Sequence, residues 1–161
     1  MASRVQIQSA DFDIASEAAA LRAGDGGVGA LALFVGTVRD RHGDSSPGQI
    51  RALELEHYPG MTERSIESMI DQAVARFGLR AVRVIHRIGR LQPMEQIVMV
   101  AVTAAHRHAA LDGCAFLMDY LKTQAPFWKK EWTPQGERWV DARVDDDEAL
   151  GRWGIESVNN R

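Results

Sequence analysis

The stretch "AFLMDYLKTQAPFWKKEWTPQGERWV", Ala115–Val140, changes character twice. Its first part carries apolar residues at helical spacing as far as Ala125, and Pro126 then ends the helix because it lacks an N–H and clashes with the preceding turn. Beyond it, "EWT" and "ERWVDARV", separated by the turn-like "PQGE", predict a hairpin. A chain that joins a long helix to an antiparallel hairpin belongs to the α+β class rather than to a strictly parallel α/β sheet. Within the same stretch, counting back from Lys122 by 4, 7 and 11 reaches Met118, Ala115 and Leu111, which predicts a lysine on the buried stripe of the helix. Lys129 and Lys130 follow beside Phe127, Trp128 and Trp132.

Upstream, "QIVMVAVTAA" (Gln96–Ala105) and "AVRVIHRIG" (Ala81–Gly89) read as strands joined around Leu91–Glu95, and His108–Ala125 as the helix that follows them. "MTERSIESMIDQAVARFG" carries Ile66, Met69, Ile70, Ala73, Val74 and Phe77 at helical spacing, with Gly78 as its stop. Ile50–His57 alternates as a strand, and Gly29–Arg39, apolar on both faces, reads as a central strand with Arg39 at its end. Between them Asp40–Gln49 is polar and rich in turn residues, so a mobile loop is expected. A short strand, Val5–Gln8, precedes a helix capped by Asp11 or Asp13 and ending near Gly24. The expectation is one α+β domain over residues 1–145, a mixed or antiparallel sheet packed with three helices, and a flexible polar tail over 146–161.

With 161 residues, 45% hydrophobic, 25% charged and a net charge of −3, the composition is that of a soluble single domain and carries no bulk signal for nucleic acid. One cysteine, Cys114, excludes an intrachain disulfide; with no apolar run of membrane-spanning length and no signal-peptide pattern, a cytoplasmic setting is expected.

A lysine facing a core must be paired, neutral, or have its tip in water, and snorkelling from the helix end is the bland reading of Lys122. Three neighbouring lysines favour another: repulsion and desolvation both push an amine toward neutrality, where it moves protons. His106 and Arg107 open the long helix, where free N–H groups suit an anion; the alternative is a capping histidine beside a solvated arginine. Arg39 is a third cation, preceded by Gly36, whose missing side chain leaves room for a ligand. His86–Arg90, "HRIGR", reads as structural or interfacial. His106 and His108 have no third ligand nearby, so neither a metal nor another cofactor is expected. The residues alone reach an anionic small-molecule site with a lysine acid or base.

The ordered set "FVGTVR" (Phe34–Arg39), "LELEHYPGMTE" (Leu53–Glu63), "HRIGRL" (His86–Leu91), "AAHR" (Ala104–Arg107), "MDYLKTQAPFWKKE" (Met118–Glu131) and "ERWV" (Glu137–Val140) resembles the large, catalytic subunits of molybdopterin synthase. The resemblance covers about Gly29 to Val140. It implies a hammerhead-like α/β arrangement and conversion of cyclic pyranopterin monophosphate to molybdopterin. The two sulfurs would come from the C-terminal Gly-Gly thiocarboxylate of a small ubiquitin-like partner, within a heterotetramer built on a homodimer of the large chain. This chain closes on "SVNNR", which casts it as the acceptor. By motif, Lys122 and Lys129 are implied as catalytic. Thr37, Val38, Arg39, His106, Arg107, Lys130 and Glu131 are implied to line the precursor site with them, and Phe34 and Met118 the pocket for the partner's tail. Two positions depart from the pattern: Leu111 replaces an aromatic, and Met94 stands where a glycine is usual before "EQIV". The competing classes are a module that binds a phosphorylated metabolite or a peptide tail without reacting with it, and a phosphodiesterase using His106 and Lys122.

Overall fold

The computed structural model describes residues 3–41, 43, 46–140 and 144–155, excepting the side chains of 144–147. In chain order the elements are β1 (Val5–Gln8), α1 (Ile14–Arg22), β2 (Ala30–Thr37), β3 (Ala52–His57), α2 (Met61–Phe77) and β4 (Ala81–Arg87). They continue with β5 (Gly89–Leu91), β6 (Gln96–Ala104), α3 (Arg107–Gln124), β7 (Phe127–Thr133), β8 (Gly136–Trp139) and α4 (Val144–Gly151). The class is α+β, as read from the terminal hairpin, but the strands divide into two four-stranded sheets and there is a fourth helix.

The first sheet has the order β1-β4-β6-β2, with β1 parallel to β4 and the other pairs antiparallel. Its strand β6 is apolar on both faces because both are covered. Val98, Val100 and Val102 meet Ile66, Met69 and Ile70 of α2 and Phe116, Leu117 and Leu121 of α3, while Met99 and Ala101 pack with Phe12 and Ile85 beside α1. Each fully buried large side chain of this set contributes about 1.5–3 kcal/mol. The second sheet, β5-β3-β7-β8, is wholly antiparallel, and one of its faces closes on a small core of Val38, Leu53, Leu55 and Leu91.

Three expectations change. β2 lies at an edge of the first sheet, not in its centre, and leaves Leu33 and Phe34 38% and 39% exposed. Apolar residues on both faces of a strand do not by themselves mean that its own chain covers both. Second, β7 begins at Phe127, directly after Pro126, so both lysines stand on a strand. Third, the stretch read as a polar tail from residue 146 begins inside α4, whose Leu150 is wholly buried. The Trp153 ring lies 5.7 Å from Phe77 and 5.6 Å from Phe116, with its Nε1–H donating to Asp119 at 2.8 Å. Two apolar residues suffice to dock an otherwise polar segment. Residues 156–161 of the expected tail, 141–143 of the expected last strand, and 42, 44 and 45 of the expected mobile loop lie outside the described residues.

Met94 is the one non-glycine at positive φ (77°) among the described residues, at the turn where the motif favours glycine. Its N–H donates to the Val38 carbonyl at 2.8 Å, so the left-handed backbone is held by the strand beside it.

Candidate active site

α3 leaves β6 through Ala105 and His106 and returns across the same face of the sheet, where the Cys114 thiol sits 3.8 Å from the Val100 carbonyl. Its last turn therefore lies near the start of β6, which pairs with Gly36 and Thr37 at the end of β2. Lys122 occupies that last turn and is exposed. The buried residues of α3 are Ala110, Gly113, Cys114, Phe116, Leu117, Met118, Leu121 and Thr123, whereas Leu111 and Ala115 are exposed with Lys122. The stripe drawn from Lys122 back to Leu111 is real in period, but only Met118 on it is covered by this chain. Helical spacing identifies residues that share a face; it does not say which face the fold covers.

β7 separates its lysines. Consecutive strand residues point to opposite faces, and the register pairs Leu55 with Lys129, Leu53 with Glu131, and Trp139 with Lys130. Lys129 and Glu131 thus share the inner face with the Val38–Leu53–Leu55–Leu91 core. Lys130 is on the outer face, its ammonium 4.7 Å from the Trp139 ring centroid and 3.6 Å from the Glu137 carboxylate. Alternation puts Lys130 on the face of β7 opposite Lys129, and Lys122 is exposed at the helix end, so the three lysines do not share one face.

Glu131, only 1% exposed, accepts hydrogen bonds from Arg138 Nε at 3.0 Å and Nη2 at 2.9 Å. Its carboxylate is thereby sequestered from solvent on the inner face. Arg138 escaped the sequence reading, yet a signal was there: a two-residue loop, Pro134–Gln135, puts Thr133 opposite Gly136 and therefore Glu131 opposite Arg138.

Where β7 begins, the two sheets touch. The His86 ring, at the end of β4, stacks on Phe127 with centroids 3.9 Å apart and planes 19° from parallel. Nδ1–H of His86 donates to the Arg87 carbonyl at 2.8 Å. Burial drives the His86 pKa down to about 4, and the charges of Lys129 and His57 push the same way. The imidazole is neutral at physiological pH. His57 pairs across the sheet with Phe127 and lies 3.2 Å from Glu63.

The remaining candidates divide between the two ends of α3. Phe34, Thr37 and Arg39 belong to its lysine end: Phe34 lies on the α3 side of β2, opposite Val100, while Thr37 and Arg39 are exposed at and just beyond the strand's end. Val38 is 3% exposed, and its N–H and carbonyl are bound to Glu95 and Met94, which ties the end of β2 to the turn before β6. The room at Gly36 is also taken, since a Cβ there would fall 2.9 Å from Val98 and 3.3 Å from the Phe34 ring. His106 and Arg107 are exposed at the opposite end, His106 as an N-cap without a side-chain capping bond. Fifteen residues of helix separate Arg107 from Lys122, about 22 Å at 1.5 Å per residue.

The chain matches the family model described as "MoaE protein" over residues 7–124. It is 54% identical over 155 residues to the molybdopterin synthase catalytic subunit of Ralstonia nicotianae, covering 96% of this chain and 86% of that one. The fold superposes on the molybdopterin biosynthesis MoaE protein of Burkholderia ambifaria with a TM-score of 0.81 at 55% identity, covering 96% of this chain and all of that one. It is also similar in fold, with a TM-score of 0.68 over 88% of this chain and 92% of the other, to a chain of the complex of subunits 1 and 2 of the Helicobacter pylori molybdopterin-converting factor. At 20% identity that likeness bears on the fold alone.

Proposed function

The chain belongs to the MoaE protein family, and from that premise we propose that it is the catalytic subunit of a molybdopterin synthase. It acts on cyclic pyranopterin monophosphate, taking sulfur from the C-terminal thiocarboxylate of a small ubiquitin-like subunit. The observation that carries the chemistry is the corner of α3 and β7. Lys122 stands in solvent at the helix end, and seven residues later Lys129 lies half-buried on the inner face beside the Glu131–Arg138 pair.

Each sulfur transfer forms a carbon–sulfur bond at the pterin side chain while a carbon–oxygen bond breaks. The product is then tied to the small subunit's carboxyl as a thioester, which water hydrolyses. Oxygen leaves only if it is protonated, and charge building on the tetrahedral centres needs a nearby cation. Lys122 and Lys129 supply both. Phe34 and Met118 flank the approach of the partner's tail, and Arg39 and Thr37 stand at the same corner.

His106 and Arg107, about 22 Å along the helix, lie too far from Lys122 for one pterin monophosphate to span. The working unit in this reading is a homodimer within a heterotetramer, in which one protomer's lysines meet the phosphate held by the other's His106 and Arg107. The half-exposed edge residues Leu33 and Phe34 and the exposed Leu111 support it, being apolar surface that a second chain would cover. The reduced interior position of Cys114 suits a cytoplasmic setting.

Intersubunit complementation tests the reading. With thiocarboxylated partner, Lys122→Ala and Arg107→Ala homodimers should each lose product formation by about 10²- to 10⁴-fold, and co-refolded mixtures should recover part of it through one intact site per mixed dimer. Mixtures that stay inactive although mixed dimers form would place both clusters in one protomer. Binding of the precursor with no sulfur transfer by the wild-type chain would make it a binding module.

A further inference from the structure

Lys122 and Lys129 are seven residues apart in the chain, and an extended segment of that length reaches about 23 Å. Covalent connection therefore leaves their relative placement open. What settles it is the joint at Ala125–Phe127, where α3 ends and β7 begins. The Phe127 N–H turns back to the Ala125 carbonyl at 2.9 Å, and the Pro126 carbonyl accepts from Thr62 Oγ1 at 2.9 Å. Those bonds hold the backbone on one side. On the other, the half-buried Phe127 packs against the main core, and the ring stacked on it is that of His86.

We propose that His86 is a positioning residue for the two lysines: stacked on Phe127 and tied through Nδ1 to the Arg87 carbonyl, it sets the angle at which β7 leaves α3. The inference rests on the catalytic reading of Lys122 and Lys129. Several observations converge on it. His86 is 8% exposed and sits where β4 of the first sheet meets β7 of the second, so it transmits the position of the rigid sheet to the strand carrying Lys129. Phe127 and Lys129 are two apart on β7 and share its inner face, so a shift of the β7 backbone at Phe127 carries Lys129 with it. The Phe127 ring lies against the imidazole, the charges of Lys129 and His57 oppose its protonation, and burial keeps it neutral. A flat aromatic ring, not a charge, is what the joint uses.

The test compares His86→Leu, His86→Gln and His86→Phe with Lys129→Ala, in the complex with thiocarboxylated small subunit and cyclic pyranopterin monophosphate, per folded molecule. His86→Leu and His86→Gln lack the ring and should lose kcat by about 10- to 100-fold, with KM for the precursor and affinity for the small subunit changed by less than about threefold. His86→Phe restores a ring on Phe127 and should return most of kcat. A purely structural role would lower the melting temperature of all three while leaving kcat per folded molecule unchanged. Should His86→Leu fail to fold, the Gln and Phe variants carry the comparison. Wild-type kcat in a folded Leu or Gln variant, or a Phe variant as slow as Gln, overturns the proposal. A fully active Lys129→Ala would instead overturn the site reading beneath it, so the two failures are distinguishable.

Discussion

Strands β6 and β7 hold equivalent places, each third in the order of a four-stranded sheet, and they are built in opposite ways. Seven consecutive residues of β6, Val98–Ala104, are buried between α1 on one face and α2 with α3 on the other. β7 buries Glu131 and keeps Lys129, Lys130 and Trp128 in partial contact with solvent. Helices cover the first sheet on both sides; the second has a core on one face and leaves Trp128, Trp132 and Lys130 on the other. The difference teaches how a strand's cover sets what its side chains can be. A strand enclosed by apolar helices contributes burial energy but tolerates no unpaired charge, whereas a strand covered on one side can hold an ammonium group within reach of a substrate and still fold.

That division can be broken most forcefully from the stable side. Phe116 is 1% exposed and edge-on to both Phe77 and Trp153, so Phe116→Ala should cost about 3–5 kcal/mol of unfolding free energy. Denaturant titration measures it, and turnover per folded molecule should stay near wild type. A matching loss of turnover would mean that the helical core and the lysine corner are coupled. A smaller effect is expected at the turn joining the sheets. Met94→Gly relieves a left-handed backbone on an 88% exposed side chain and should stabilise the fold by about 1 kcal/mol with unchanged activity. A lower melting temperature would show that glycine's extra freedom in the unfolded chain outweighs the strain. The least effect belongs to the outer face of β7. Lys130→Ala removes one ring contact and one ion pair and should shift stability by less than about 1 kcal/mol. Its turnover should remain far above that of Lys129→Ala, whose side chain lies on the inner face. Equal losses at the two lysines would show that the outer face of β7 also meets the substrate in the assembled enzyme.

Local pattern alone determined the order of nearly all the elements, the stops at Gly78 and Pro126, the α+β class, and the motif set that marks the family. Each of these depends on residues close in sequence: apolar spacing, turn chemistry, and a missing N–H. The methionine-for-glycine departure at position 94 was legible for the same reason, since a left-handed turn is a local demand. Other features belong to the tertiary structure. Lys122 shares its helical stripe with Met118, Ala115 and Leu111 as counted, but the stripe is mostly exposed because α3 turns its other residues toward β6 and α2. The tail became a docked helix because Leu150 and Trp153 find Phe77 and Phe116, distant in sequence. His86, read as structural or interfacial, gained a specific partner only when two sheets brought Phe127 against it. Periodicity specifies which side chains share a face; whether that face is covered, and by what, is settled by residues far along the chain, through packing that no local spacing encodes.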